Sequence, residues 1–74
     1  MTRKLYEIAN EIERTWAKVN FAARPYLSAM KEINDINDTY GADTAKSVVA
    51  YFLCNANSWH GDDARRIKSE LRAL

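Results

Sequence analysis

Val48-Val-Ala-Tyr-Phe-Leu-Cys54 is an apolar run that periodicity alone reads equally well as a buried strand or as a helix. Its surroundings favour the helix. Asp43 or Thr44 stands just ahead of it as a natural N-cap, and Thr44-Ala-Lys46 makes a suitable entry. No other segment reads as a strand, and a lone strand would have nothing to pair with. As a helix over about 43–56, the run places Ala45, Val48, Val49, Phe52 and Ala56 at helical spacing, with Tyr51, Leu53 and Cys54 on other sides. That makes it the central element of the core.

Downstream, Asn55 to Gly61 is a polar corner carrying Trp59 and His60. Gly61 or Asp62 can cap a last helix over about 62–73, with Asp63 well placed in its positive first turn. Ile67, Leu71 and Leu74 form its apolar stripe. Arg65, Arg66, Lys68 and Arg72 cover the rest, so residues 64–74 carry a net +3.

Upstream, Leu5, Ile8, Ile12, Trp16 and Val19 step by three and four, which predicts a first helix over about 3–20 capped by Thr2. Glu7–Glu11 and Arg14–Lys18 are like-charged pairs one turn apart, while Glu11–Arg14 attracts, so side-chain pairing adds little and this helix depends on its packed stripe. A corner follows from Phe21 to Arg24. Pro25 suits the first turn of a second helix over about 25–40, and Gly41 suits its C-terminal cap. Tyr26, Met30, Ile33, Asn37 and Tyr40 share one side of it, Leu27 and Ile36 widen the apolar arc, and its outward face is acidic. The expected fold is all-α: one domain over 1–74, a compact bundle of four short helices. Its core is expected to hold Leu5, Ile8, Ile12, Trp16, Met30, Ile33, Val49, Phe52, Leu53, Ile67 and Leu71.

At 74 residues the chain buries only about 60% of its unfolded surface, so burial and chain entropy nearly cancel. Cys54 is the only cysteine and His60 the only histidine, which excludes an internal disulfide and leaves a Cys/His zinc site short of ligands. Helix packing and self-association are the remaining sources of stability. A net charge of +1 provides no global field for nucleic acid or membrane. The uncharged run Ser47 to His60 is too short and too polar to span a bilayer, and Met1-Thr-Arg-Lys4 leads into a charged amphipathic pattern instead of a signal core. A cytoplasmic protein is expected.

No pattern identifies a chemistry. Asp35/Asp38 and Glu7/Glu11 lie one turn apart but read as solvated helix faces, whereas acid–base work needs a dry pocket. A calcium loop starting at Asp35 would require glycine and glutamate where Tyr40 and Lys46 stand. Cys54 with His60 lacks a third, orienting residue, and Cys54 reads as an inert core residue. The expectation is therefore a non-enzyme without catalytic residues, metal or cofactor. The best candidate surface is Trp59, His60, Arg65, Arg66, Lys68 and Arg72, taken as partner-binding. The bland reading stands beside it: Trp59 staples the corner into the core while the arginines are solvated. A corner followed by a basic helix also has a helix-turn-helix look, although the turn is longer than usual.

The segments Pro25-Tyr-Leu-Ser-Ala-Met30, Tyr40-Gly-Ala-Asp43, Tyr51-Phe-Leu-Cys-Asn-Ala56, Trp59-His-Gly61 and Ala64-Arg-Arg-Ile-Lys-Ser-Glu-Leu71 resemble small α-helical proteins carried by bacteriophages and prophages. The resemblance covers about residues 21–74 and brings no activity with it. It implies a phage protein working in the cytoplasm of a bacterial host cell, where proteins of this size often act by binding, inhibitors of host defence among them. The leading expectation is a protein-binding module that inhibits or modulates a bacterial protein. The alternatives are a small nucleic-acid-binding regulator using the last helix, and a homo-oligomer that sequesters a signalling nucleotide through converging arginines.

Overall fold

The apolar run is a helix in the computed structural model, which describes residues 3–74. In chain order the described residues form α1 (Leu5–Thr15), α2 (Arg24–Met30), β1 (Thr39–Tyr40), β2 (Asp43–Thr44), α3 (Ala45–Cys54) and α4 (Asp62–Arg72). The architecture is thus mostly helical with a small two-stranded sheet, not the purely α bundle expected. Helix α1 packs on α2 and α4, and α2 packs on α3.

Thr2, the expected cap of the first helix, lies outside the described residues. Lys4 occupies the N-cap position, and the Glu7 carboxylate accepts from its N–H at 2.8 Å. Two further free N–H groups of that turn, on Leu5 and Tyr6, donate to the carbonyls of Asn34 and Ile33 at 2.9 and 3.0 Å. The helix stops at Thr15, short of the expected Asn20. The Thr15 hydroxyl bonds back to the Glu11 carbonyl at 2.9 Å, and Trp16 turns to extended backbone as its ring enters the core.

The largest departure is the second helix, which ends at Met30 and not near Tyr40. Short polar side chains that bond locally to the backbone explain it. Asp35 Oδ1 accepts from the Asn37 N–H at 2.8 Å, and Asp38 Oδ2 accepts from the Asp35 N–H at 3.0 Å. These bonds close a turn where a helix would have put acidic residues against its own negative end. Gly41 therefore caps no helix. It sits at φ +62° in the first central position of the Gly41-Ala42 hairpin turn, which suits a type II′ geometry. Thr39 pairs with Thr44, and Tyr40 with Asp43. The Tyr40 hydroxyl donates to Glu32 at 3.1 Å, tethering the hairpin to the end of α2 and raising the phenol pKa.

Helix α3 begins as expected, with Thr44 Oγ1 accepting from the Ser47 N–H at 3.1 Å. It ends at Cys54, two residues short of expectation. Gly61 takes the N-cap position of α4 at φ +107°. Of the expected core, Leu5, Ile8, Ile12, Trp16, Met30, Ile33, Val49, Phe52, Ile67 and Leu71 are buried, while Leu53 is only half-buried. Leu27, Val48, Trp59 and six alanines complete the core, Ala23, Ala45 and Ala56 among them. Cys54, expected inside, is exposed on the far side of α3. No helix among the described residues is long and apolar enough to cross a membrane.

Candidate partner-binding surface

The seven-residue corner between α3 and α4 is held by its tryptophan. Trp59 is only 4% exposed, and its ring stacks on Trp16 at 5.2 Å between centroids and 7° between planes. Trp16 in turn meets Phe52 edge-on at 6.2 Å. The C-cap residue of α1, the middle of α3 and the corner therefore share one aromatic stack. Such a stack adds about 0.5–1.5 kcal/mol per pair beyond burial. Trp59 thus packs into the core with its ring against Trp16.

What Trp59 displays is its carbonyl, which accepts from Lys68 Nζ at 2.7 Å. The same ammonium lies 5.9 Å from the centre of the indole ring. Lys68 is thereby folded back against the corner and half-buried. Burial lowers its pKa, and repulsion from Arg72, one helical turn further on, lowers it more. With His60, Gly61, Ala64 and Arg65, these residues line a shallow groove of about 300 Å³. Among the described residues, neither Lys68 nor Arg72 has a carboxylate within ion-pair distance. Arg65 pairs with Asp62 at 2.6 Å, but both side chains stand in water, so the pair is weak.

Arg66 belongs to a different surface. Its Nη2 donates to Glu11 at 2.7 Å and to Asp63 at 3.1 Å. Arg3 joins the same cluster, with Nη1 2.7 Å from Glu11 and with Nε and Nη2 on the two oxygens of Glu70 at 2.9 and 2.6 Å. Arg66 first, and Arg3 second, hold the Glu11 carboxyl down at about 2. Glu70 is lowered as well, mainly by Arg3, and both arginines are raised in return by their carboxylates. This cluster joins the chain start, α1 and α4. Of the six residues singled out from sequence, His60, Arg65, Lys68 and Arg72 come together in the groove. Trp59 forms its back wall from inside, and Arg66 faces the α1 seam.

The remaining candidates are simply placed. Asp35 and Asp38 shape a turn, and Cys54 does not line the groove that holds His60. Among the described residues no three His, Cys, Asp or Glu side chains are grouped to hold a metal. Sequence reasoning singled out neither Phe21, which is 86% exposed, nor the Tyr26–Tyr51 stack at 5.5 Å. The signal for Phe21 was available: an aromatic in a corner between two amphipathic segments has no stripe to join. Compared with protein-family models, curated proteins and solved structures, the chain matches none of them.

Proposed function

We propose that this chain is a non-enzymatic protein-binding module whose α4 groove receives an acidic segment of a partner. In the phage setting that the sequence resembles, that partner is a bacterial host or defence protein, which the module inhibits or modulates. The observation carrying this reading is the Lys68–Arg72 pair. Two like charges sit one turn apart beside a fixed corner, and among the described residues no carboxylate pairs with either. A partner carboxylate between them would relieve their repulsion and gain charge-assisted hydrogen bonds. Lys68 is already held by the Trp59 carbonyl, so less side-chain freedom is lost on binding.

The nucleic-acid alternative has less support. A recognition helix reads base edges with its N-terminal residues, and α4 begins with Asp62-Asp63. Three groove cations would also give few phosphate contacts compared with the six to ten of a typical DNA binder.

The test is a tagged pull-down from nuclease-treated bacterial lysate, with mass spectrometry of any partner recovered at near-equal amount. The variants Arg72→Glu and Arg65→Glu, both at exposed positions, should each cut recovery, and together should weaken binding by about 2 kcal/mol or more if they are anchors. A partner bound equally well by wild type and double variant would move the site off α4. Low-salt binding to random duplex, lost in the same variants, would favour nucleic acid instead.

A further inference from the structure

Phe21 is the most exposed large apolar side chain among the described residues, at 86%, and it sits in the corner joining α1 to α2. Beside that corner a groove of about 420 Å³ opens between the end of α1 and the start of α2. Trp16, Ala17, Val19 and Leu27 line it together with Glu13, Arg24 and Ser28. Neither feature belongs to the α4 groove.

The knob and the groove come from one stretch of chain, residues 13–28. A two-fold axis through this face would seat each copy's Phe21 in the other's groove, the self-complementary contact that an isologous dimer requires. The groove also carries one charge of each sign, Glu13 and Arg24, which a two-fold operation can pair reciprocally between copies. Both retain capacity for it. Arg24 donates through Nε to the Val19 carbonyl at 3.3 Å, and among the described residues it pairs with no carboxylate. Glu13 engages Lys31 through Oε2 alone, at 3.1 Å.

We infer that the occupant of this groove is a second copy of the chain, held by reciprocal insertion of Phe21. An inserted aromatic buries roughly 150–250 Å². Two of them with their groove walls fall below the roughly 1,200 Å² at which standard interfaces begin. The dimer is therefore weak and concentration-dependent. It adds burial to a chain whose size leaves its core marginal. This inference does not rest on the α4 reading, since it uses another face and another kind of contact.

Sedimentation equilibrium of the full chain, from about 10 μM to about 1 mM, spans the range expected for so small an interface. Wild type should rise from its monomer mass of 8.5 kDa toward twice that value. Phe21→Asp should remain monomeric, with a dissociation constant raised at least about tenfold and an unchanged circular dichroism spectrum, because the residue is exposed in the monomer. Glu13→Arg and Arg24→Glu should each weaken the dimer, and the two together should restore it by exchanging the charges across the axis. A chain that stays monomeric throughout overturns the inference and leaves the groove to some other partner. A dimer indifferent to Phe21→Asp, or a charge swap that fails to rescue, overturns it as well.

Discussion

The two basic surfaces of α4 have similar sequences and opposite electrostatic situations. Toward α1, Arg66 meets Glu11 and Asp63, and Arg3 completes a cluster in which every charge has an opposite neighbour. On the groove side, Lys68 meets the backbone carbonyl and indole ring of Trp59, and among the described residues neither it nor Arg72 pairs with a carboxylate. Counting charges along residues 64–74 gives one basic helix. The fold divides it into a paired seam against α1 and a groove-side pair that no carboxylate among the described residues meets. The two sets of cations differ in whether a carboxylate among the described residues supplies the counter-charge.

Removing the back wall of the groove should have the largest effect. Trp59→Ala deletes half of the Trp16–Trp59 stack and opens a cavity beside Trp16, so urea unfolding should show a loss of about 3–5 kcal/mol. It should also release Lys68 into solvent, and partner binding should fall even where the variant is folded. A loss below about 1 kcal/mol would mean that the corner is not held by this ring.

The seam can be broken more selectively. Glu11→Gln removes the shared acceptor of Arg3 and Arg66 while keeping the side chain's shape. Discounted for solvent screening, the expected cost at neutral pH is about 1 kcal/mol, without effect on the groove. Acid should act on the same contact. The Glu11 carboxyl is lowered from 4.5 to about 2 in the folded chain, so between these values the unfolded chain takes up the proton first. Its contribution is present in full above about pH 5 and lost as pH falls through 4.5 toward 2, with Glu70 adding in the same direction. Midpoints of urea unfolding for wild type and Glu11→Gln should therefore differ at neutral pH and converge in acid. A constant gap across that range would remove the seam as the cause.

This division was only half legible in the sequence. The stripes of α1, α3 and α4 were readable because helical periodicity is a local property, and ten of the eleven expected core residues are buried. The middle of the chain was not. From Ile33 to Asp38 the apolar spacing continues through Ile33 and Ile36, but the Asp35 and Asp38 carboxylates capture nearby N–H groups and end the helix. The Gly41 turn then pairs two strands of two residues each, too short to leave an alternating pattern. Glu11 shows the other limit. Its sequence neighbours are Glu7 and Arg14, yet its partners are Arg3 and Arg66, the second 55 residues away and invisible to any i,i+4 count. Trp59 and the α4 cations were found as a cluster, but whether the indole faced inward depended on the distant Trp16.

The smallest expected effect probes the unanswered pair itself. Arg72 is exposed, and no carboxylate among the described residues pairs with it, so Arg72→Gln should change stability by less than about 0.5 kcal/mol in either direction. Its signature should appear at Lys68. Burial lowers the Lys68 ammonium pKa first and Arg72 second, so removing Arg72 should raise that pKa part of the way back and leave the burial contribution in place. A lysine lowered in the folded state means that the unfolded chain holds the proton more tightly, so the charged ammonium costs stability at neutral pH and the cost disappears as pH rises through the folded value. NMR titration of the Lys68 side chain in both proteins measures the coupling directly. An upward move on Arg72→Gln identifies the two cations as one electrostatic unit, the condition for a single carboxylate to answer both. An unmoved Lys68 would mean that Arg72 points away into water, and the groove would keep only one charge with which to hold a partner.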